Sequence, residues 1–363
     1  MKFSDEKWME QALALAEKGR PWTSPNPLVG AVIVKNNRFV SSGYHTRYGA
    51  PHAEIEAIRK SGTRSVGSTL YVTLEPCSTY GKTPPCTEAI TRAGIKRIII
   101  GTEDPNPVHH GRGLSFLAKH KIQITKGVLK KKVLRQNEAF VKWITTGKPF
   151  VILKMAQSLD GKIASRTGSS HWISGHKARQ WVHHLRSQVD AVLIGKNTLL
   201  MDDPRLTVRN GKLTKSPWRI ILDSRGESLI SARIFKQDGP VILACFEHEI
   251  RRVVKKFSSK NITLLPLKQR HGKLDLRQLL DRLGSMGITS LLVEGGGELA
   301  GSFIEERLVD QVKWVLAPKI IGGRESKTSV EGIGIDSLSR AHRIKSVEMS
   351  QLGEDFLFEG YVS

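Results

Sequence analysis

Four residues in the first quarter of the chain have the types and order of a catalytic zinc site. His52 and Glu54 are separated by one alanine, and Cys77 and Cys86 each follow a proline. One histidine and two cysteines supply three ligands, the number that leaves one position of a tetrahedral zinc open for water. Glu54 is a carboxylate that could move protons beside that open position. The pattern predicts one catalytic Zn²⁺ per chain, held by His52, Cys77 and Cys86.

This residue set is the one known for zinc deaminases, in which the glutamate is not a ligand and carries protons from water to the leaving ammonia. We therefore interpret Glu54 as the catalytic residue of a hydrolytic deamination. The alternative is a structural zinc site, which usually shows a fourth Cys or His at finger-like spacing, and the sequence has none there. Eight residues, Ser78 to Pro85, separate the cysteines, whereas nucleic-acid and free-base deaminases typically show two.

The elements that must position these residues alternate between strands and helices. Asn36-Asn37 between two β segments is a hairpin signal. The predicted elements of this half are a helix over Asp5–Gly19, strands over Val29–Lys35 and Arg38–Gly43, a helix starting near His52, a strand over Thr69–Leu74, a helix from about Pro84 or Pro85, a strand over Lys96–Gly101, a helix near 113–120 and a final strand near 122–125. Such alternation predicts an α/β sheet with helices on both faces.

The pattern breaks around Thr145–Pro149, where we place a boundary between domains 1–147 and 148–363. The second half also reads as α/β. Its predicted strands are Phe150–Lys154, Ala191–Gly195, Trp218–Asp223, Val241–Cys245, Ile262–Leu267, Ser290–Val293 and Gln311–Leu316, and its predicted helices include Ser174–Ser187 and Leu274–Leu283.

Composition sets broad bounds on the protein. A chain of 363 residues favours two domains, and three cysteines, two of them in the motif, exclude a disulfide framework and favour a reducing compartment. The N-terminal residues do not resemble a signal peptide, and no window is apolar enough to span a membrane, so we expect a cytoplasmic protein. The net charge of +23 would attract an anionic substrate, a phosphorylated cofactor or nucleic acid, but it is equally compatible with a basic solvated surface.

Beyond these patterns, the sequence resembles a known family, the bifunctional deaminase–reductases of riboflavin biosynthesis (the RibD type), over its whole length. The matching motifs in the first half are Pro25-Asn-Pro-Leu-Val-Gly30, Gly43-Tyr-His45, His52-Ala-Glu54, Thr73-Leu-Glu-Pro-Cys-Ser78, Gly81-Lys-Thr-Pro-Pro-Cys86 and Asp104-Pro-Asn-Pro107. Those in the second half are Lys154, Ser158-Leu-Asp-Gly-Lys162, Trp172-Ile173, Asp202-Asp-Pro204, Leu206-Thr-Val-Arg209 and Val293-Glu-Gly-Gly296.

The resemblance implies a cytidine-deaminase-like α/β domain followed by a dihydrofolate-reductase-like α/β domain. The first would deaminate a diamino-pyrimidinone that carries a ribosylamino 5-phosphate, and the second would use NADPH to reduce the ribose to a ribityl chain. In the family's pattern the pyrimidine contacts are Asn26, His45, Lys82, Asp104 and Asn106. Many members carry His where this chain has Thr79, which can hydrogen-bond through its hydroxyl but cannot carry charge.

In the reductase half the resemblance implies two further sets of contacts. NADPH would contact Ala156, Trp172, Thr198, Asp202, Ser224, Gly296 and Gly297. The reductase substrate would contact Ser170, Arg186, Leu206, Arg209 and Glu294. Arg186 and Arg209 have the chemistry of phosphate clamps, since guanidinium groups bind phosphate in a bidentate way.

Without the resemblance, the residues of the second half indicate its function less clearly. Gly295-Gly-Gly-Glu-Leu-Ala-Gly301 follows a predicted strand and could present backbone N–H groups to a pyrophosphate, or it could be a turn whose glycines allow close packing. It lacks the acidic residue about 20 positions on that completes a dinucleotide fingerprint. Trp172 and Trp181 are more typical of core aromatics, and Cys245 of a buried small hydrophobe.

Two other functions remain alternatives to a two-step biosynthetic enzyme. A nucleic-acid deaminase is favoured by the charge alone, and the long cysteine spacing and the whole second half argue against it. A protein with one inactive half would keep that half for assembly. We expect a small phosphorylated pyrimidine as substrate, neither nucleic acid nor membrane as partner, and a homo-oligomer.

Overall fold

The computed structural model describes residues 3–80, 84–209, 215–257 and 262–363. The chain divides into two compact units, Met1–Lys148 and Pro149–Ser363. Each unit has its own buried apolar core. Within the described ranges, no helix has both the length and the apolar character needed to cross a membrane.

The first unit is built on a five-stranded mixed sheet. Its strands are β1 (Gly30–Lys35), β2 (Arg38–Tyr44), β3 (Thr69–Leu74), β4 (Arg97–Thr102) and β5 (Gln123–Lys126), in the order β2-β1-β3-β4-β5. β1 is antiparallel to both of its neighbours, while β3, β4 and β5 run parallel. Asn36 and Asn37, both at positive φ, make the predicted hairpin turn.

Helices cover both faces of this sheet, as predicted. They are α1 (Phe3–Glu17), α2 (Ala53–Ser61), α3 (Cys86–Arg92), α4 (Arg112–Lys119), α5 (Lys130–Gln136) and α6 (Glu138–Thr146). Val32 and Val34 pack with Met9 of α1 on one face, and Ile33 packs with Ala57 of α2 on the other. This alternation along β1 follows from side chains pointing to opposite faces of a strand.

The prediction that the strand near 122–125 is the last element of the first unit is wrong. Two helices, α5 and α6, fill most of the stretch between β5 and the second unit. The three consecutive lysines Lys130–Lys132 form the first turn of α5.

The second unit contains a nine-stranded sheet. Its strands are β6 (Phe150–Ser158), β7 (Ala191–Gly195), β8 (Trp218–Leu222), β9 (Val241–Phe246), β10 (Ile262–Leu267), β13 (Ser290–Val293), β14 (Gln311–Ala317), β15 (Ile344–Leu352) and β16 (Asp355–Val362), with β11 (Gln269–Arg270) and β12 (Lys273–Leu274) forming a separate small hairpin. The sheet order is β10-β9-β8-β7-β13-β6-β14-β16-β15, parallel from β10 to β14 and antiparallel beyond.

The helices of this unit connect the parallel strands. They are α7 (His176–Ser187), α8 (Lys196–Asp202), α9 (Ile250–Lys256), α10 (Leu276–Ser285) and α11 (Gly297–Glu305). The predicted α/β class therefore holds here as well, but the hairpin of β15 and β16 was not predicted.

Candidate functional site

The three predicted zinc ligands come together at the starts of two helices and the end of a strand. His52 is the N-cap residue of α2, Cys86 is the first residue of α3, and Cys77 lies three residues beyond β3. The His52 Nδ1 atom is 3.3 Å from Cys86 Sγ and 3.5 Å from Cys77 Sγ. All three ligand atoms lie within 4.8 Å of one another.

This arrangement fits a zinc ion. With Zn–N and Zn–S bonds of about 2.05 and 2.3 Å, tetrahedral geometry requires ligand atoms about 3.6 Å apart, close to the distances observed. The donor set of one imidazole and two thiols is one that zinc prefers. A hydrogen bond from Cys86 lowers the pKa of Cys77, which favours the thiolate, the form that binds metal. His52, Cys77 and Cys86 could therefore hold one metal ion.

Glu54 lies in the first turn of α2 and is buried next to these ligands. Burial raises the pKa of its carboxyl group, and the nearby His52 acts in the opposite direction. A carboxyl with a raised pKa holds a proton more readily, which suits a group that must both accept and donate one. The geometry thus gives Glu54 the surroundings that a proton-transfer group needs.

Two of the predicted pyrimidine contacts touch each other beside the ligands. Asn26 Nδ2 is 3.1 Å from His45 Nε2, and His45 Nδ1 is 3.1 Å from the carbonyl oxygen of Pro51. Burial lowers the pKa of His45, which favours the neutral ring. In that form Nδ1–H donates to Pro51 and Nε2 accepts from Asn26. The rings of His45 and His52 lie edge to face with centroids 5.4 Å apart.

Asp104 and Asn106 are brought together on the loop after β4. The backbone N–H of Asn106 donates to Asp104 Oδ1 at 2.9 Å, and the N–H of Val108 donates to Asn106 Oδ1 at 3.0 Å. Burial raises the pKa of Asp104. Lys82 lies outside the described residues.

Most of the predicted cofactor residues gather at one edge of the second sheet. β8, β7, β13 and β6 are adjacent and parallel, so their carboxyl ends meet. The residues at or near these ends are Ala156, Thr198, Ser224, Gly296 and Gly297, whereas Asp202 is the last residue of α8. Ligands of open parallel sheets bind in the crevice at this edge. Trp172, in the loop between β6 and α7, is largely exposed and is stacked by Arg179, so it is not a core aromatic.

The glycine-rich stretch divides into two parts. Gly296 is the N-cap residue of α11, and a Cβ placed there would meet only Thr198 Oγ1 at 3.8 Å, an ordinary contact. A Cβ on Gly297 would lie 2.3 Å from the carbonyl oxygen of Thr328. Gly297 is therefore required for close packing, whereas the open space at Gly296, next to the N-terminus of α11, fits a phosphate-bearing cofactor.

The predicted substrate residues of this unit form two groups. Arg186 Nε and Nη2 donate to Glu294 at 2.6 and 2.9 Å, so much of this guanidinium is engaged and is not a free phosphate clamp. Arg209 Nη2 lies 3.5 Å from His183 Nε2 and is near Arg186, Arg205 and Arg233.

The remaining predicted residues of the second unit lie nearby or in its interior. Ser170 Oγ donates to Asp202 Oδ1 at 3.1 Å. Leu206 is buried, Cys245 is buried as predicted, and Trp181 packs partly against a small core cluster.

Two charged groups near these sites were not identified from the sequence as site residues. Burial lowers the pKa of Lys154, which lies in β6 near Glu294 and Arg186. The carboxylate of Glu75, which follows β3, accepts four backbone hydrogen bonds. Both residues could have been identified from the sequence, because each is a charged residue within or directly after an apolar strand.

Comparisons with known proteins agree with the two-part architecture. The family model for the cytidine and deoxycytidylate deaminase zinc-binding region matches residues 2–102, and that for the RibD C-terminal domain matches residues 149–358. The riboflavin biosynthesis protein RibD of Aquifex aeolicus is 40% identical over 97% of this chain and 97% of its own length. The RibD protein of Escherichia coli is 38% identical over 97% of this chain and 98% of its own length.

Solved structures agree over the full length. RibD of Acinetobacter baumannii superposes with a TM-score of 0.89 at 34% identity, covering 99% of both chains. A Thermotoga maritima protein named as a diaminohydroxyphosphoribosylaminopyrimidine deaminase and 5-amino-6-(5-phosphoribosylamino)uracil reductase superposes with a TM-score of 0.88 at 36% identity, also covering 99% of both chains. The resemblance inferred from the motifs is thereby confirmed. The chain belongs to the RibD family, the bifunctional enzymes of riboflavin biosynthesis in which a zinc-binding deaminase domain precedes a reductase domain.

Proposed function

We propose that the first unit hydrolyses the 2-amino group of 2,5-diamino-6-(5-phosphoribosylamino)pyrimidin-4(3H)-one. The second unit then reduces the ribosyl group of the product to a ribityl chain with NADPH. The observation that carries the proposal is the set of three ligand atoms within 4.8 Å of one another, beside the buried carboxyl of Glu54. The activities for which the Thermotoga maritima relative is named support the choice of substrates.

In the deaminase reaction, zinc held by His52, Cys77 and Cys86 would lower the pKa of a bound water to about 7. The Glu54 carboxylate takes a proton from the attacking water and delivers it to the leaving amino nitrogen, so that one water is consumed and one ammonia is released. The burial of Glu54 supports this role, because a raised carboxyl pKa lets it hold the proton between the two transfers.

The pyrimidine would be oriented by polar groups around Glu54. Asn26 and neutral His45, fixed by their mutual contact and by Pro51, present defined donors and acceptors. Asp104 and Asn106 do the same from the loop after β4. We also assign Lys82 to this pocket, for the substrate phosphate or pyrimidine, on the basis of the motif in which it lies.

In the reductase reaction, NADPH would supply the hydride. We propose that it lies along the carboxyl ends of β6, β13, β7 and β8, contacting Ala156, Trp172, Thr198, Asp202, Ser224, Gly296 and Gly297. The substrate would lie beside it, with Ser170, Leu206 and Glu294 as contacts.

For the phosphate of this substrate we assign Arg209 the leading role. Arg209 is mostly exposed, and its partial burial together with the neighbouring guanidinium groups lowers its pKa. Arg186, engaged by Glu294 in a bidentate pair, would orient that carboxylate and offer its remaining N–H groups to the ligand.

The test uses the zinc-loaded full chain and the diamino-pyrimidinone phosphate, with and without NADPH. Ammonia and NADPH absorbance are followed separately. We expect ammonia release in both reactions and NADPH oxidation only after deamination has begun. Release of ammonia from transfer RNA or single-stranded DNA, without release from the small pyrimidine, would overturn the proposal in favour of a nucleic-acid deaminase.

We further propose that the chain works as a homo-oligomer in the cytoplasm. The exposed side chains of Val347 and Met349 on the edge strand β15 support self-association, since apolar groups on sheet edges favour pairing with another chain. The three free cysteines support a reducing compartment. Sedimentation velocity at several protein concentrations tests the first point, because a single species of monomer mass would contradict it.

A further inference from the structure

The carboxylate of Glu75 joins two segments that carry residues of the deaminase site. Its Oε2 atom accepts the backbone N–H groups of Asp104 and Gly111, both at 3.0 Å. Its Oε1 atom accepts those of Gly113 at 2.9 Å and Leu114 at 3.2 Å. The side chain is buried, so water does not compete for these bonds.

One of the two segments is the end of β3. Glu75 follows its last residue, Leu74, directly, and Cys77 is two residues further on. The backbone N–H of Glu75 donates to the carbonyl oxygen of Thr102 at the end of β4. Glu75 is thus fixed to the sheet on one side and lies close along the chain to a metal ligand.

The other segment is the loop from β4 to α4, which carries Asp104 and Asn106. α4 has Gly111 as its N-cap residue and no capping side chain of its own. Glu75 supplies that cap from another part of the chain, because it accepts the N–H groups of Gly113 and Leu114 in the first turn. The contact is close, since a Cβ on Gly113 would lie 2.1 Å from the carbonyl oxygen of Pro76.

The other bonds of Asp104 and Asn106 are local. Asp104 accepts from Asn106, and Asn106 accepts from Val108, so these bonds shape the loop without attaching it to the strand that leads to Cys77. The bonds to Glu75 make that attachment. They link the loop of Asp104 to the chain segment that leads to Cys77.

We propose that Glu75 is a positioning residue of the deaminase, which holds the loop of Asp104 and Asn106 in register with the metal site. This role rests on the proposed function, in which those two residues bind the pyrimidine. It differs from a purely structural role in one respect. Loss of the Glu75 carboxylate should weaken substrate binding even where the protein is fully folded.

Glu75→Gln in the full chain tests the proposal. The variant keeps one acceptor oxygen and turns the other into an NH₂ donor that faces backbone donors. We expect KM for the diamino-pyrimidinone phosphate to rise at least about tenfold, with zinc still bound and reductase activity unchanged. The backbone N–H groups of Asp104, Gly111, Gly113 and Leu114 should exchange hydrogen at least about tenfold faster.

Two companion variants sharpen the result. Glu103→Gln removes a carboxylate next to Asp104 that pairs with Lys126 on the outside of the loop, and it should leave KM unchanged. Gly113→Ala would place a Cβ 2.1 Å from the carbonyl oxygen of Pro76 and 3.2 Å from Glu75 Oε1, so it displaces the start of α4 from both and should raise KM as Glu75→Gln does. If Glu75→Gln fails to fold, Gly113→Ala decides.

A lowered melting temperature with unchanged KM in the folded protein would overturn the positioning role. Unchanged hydrogen exchange at the four N–H groups would overturn the attachment itself. If the wild-type chain releases no ammonia from the pyrimidine, the proposed function fails, and the exchange measurement still decides whether Glu75 holds the loop.

Discussion

At the scale of single residues, the proposed deaminase site consists of one carboxyl group and three groups that could hold a metal. Glu54→Gln preserves the size of the side chain and removes its ability to exchange a proton. We expect deamination to fall by about two to four orders of magnitude, the usual contribution of general acid–base catalysis. Zinc content and NADPH-dependent reduction should stay at wild-type levels, because Glu54 is not among the three ligand residues. Ammonia assays and metal analysis on the same preparation measure both.

Near-normal deamination by Glu54→Gln would remove Glu54 from the proton path. A useful control is Glu56→Gln, which changes the other carboxylate in the first turn of α2, one that pairs with Arg59 at the surface. That variant should behave as wild type, which would exclude a general effect of lowering the charge at the start of this helix.

Asp104 illustrates a conflict between function and stability at a single position. Burial raises the pKa of its carboxyl above the unfolded value. The folded chain then binds this proton more readily than the unfolded chain, so stability from this group is lost as pH rises through the raised pKa. At neutral pH the charged carboxylate therefore lowers the free energy of unfolding. We attribute its presence there to binding of the pyrimidine.

We expect Asp104→Asn to raise the melting temperature by about 1–4 °C near neutral pH. The amide keeps an acceptor oxygen for the N–H of Asn106. The gain should shrink as pH falls toward the raised pKa, where the wild-type carboxyl also becomes neutral. KM for the pyrimidine should rise about 10- to 100-fold, as expected for loss of a charged hydrogen bond. A variant that is less stable at every pH would contradict the assignment; thermal melts across pH measure this.

At the scale of elements, the bounds of a strand could be predicted from the sequence where an apolar run lies between clear turn signals. β3, β7, β10 and β13 have the predicted bounds, since each is an apolar run between turn signals. The hairpin of β15 and β16 was missed because β15 is exposed almost throughout, so its sequence lacks the apolar alternation that marks a half-buried strand. α6 was missed for a related reason, since none of its residues is fully buried.

The same limit applies to the candidate site. The metal ligands could be found because their residue types and order are themselves the signal. The role of Glu75 depends on four N–H groups between 29 and 39 residues further along the chain, and the bond of Arg186 to Glu294 spans 108 residues. Such contacts join residues that are far apart in the chain and arise only when the sheets have formed. They therefore cannot be predicted from local residue patterns and spacing.

One element-scale prediction concerns the junction of α5 and α6. Asn137 lies there, buried, and its side chain pairs with the backbone of Leu28 in both directions, with Oδ1 accepting at 2.8 Å and Nδ2 donating at 3.0 Å. Asn137→Ala would leave two buried backbone groups without these partners. We expect a loss of roughly 2–4 kcal/mol in the free energy of unfolding of the first unit.

Denaturant unfolding followed by a probe in the first unit measures this loss. Gln123→Ala, at an exposed position of β5, should change stability by less than about 0.5 kcal/mol. An equally small effect of Asn137→Ala would mean that the loop around Leu28, which also carries Asn26, does not depend on α5 and α6 for its position.

At the scale of the whole molecule, the two reactions use separate sets of residues. The groups proposed for deamination all lie in Met1–Lys148 and those for reduction all lie in Pro149–Ser363. Each unit is stabilised by its own core, of which Ile33 and Leu70 are members in the first and Leu193 and Leu291 in the second. A substitution in one active site should therefore leave the other reaction intact.

This separation predicts that two variants, each defective in a different reaction, complement each other when mixed. Glu54→Gln should reduce the deaminated pyrimidine normally, and Arg209→Ala should deaminate normally but reduce poorly. A mixture of the two variants should convert the diamino-pyrimidinone phosphate to the ribityl product, whereas neither does so alone at a comparable rate. Because the intermediate must then travel through solution, the rate should rise with the concentration of the reductase-competent variant. Product formation in the mixture no faster than the sum of the separate variants would show that the intermediate does not pass freely between chains, and would tie the two reactions to one molecule.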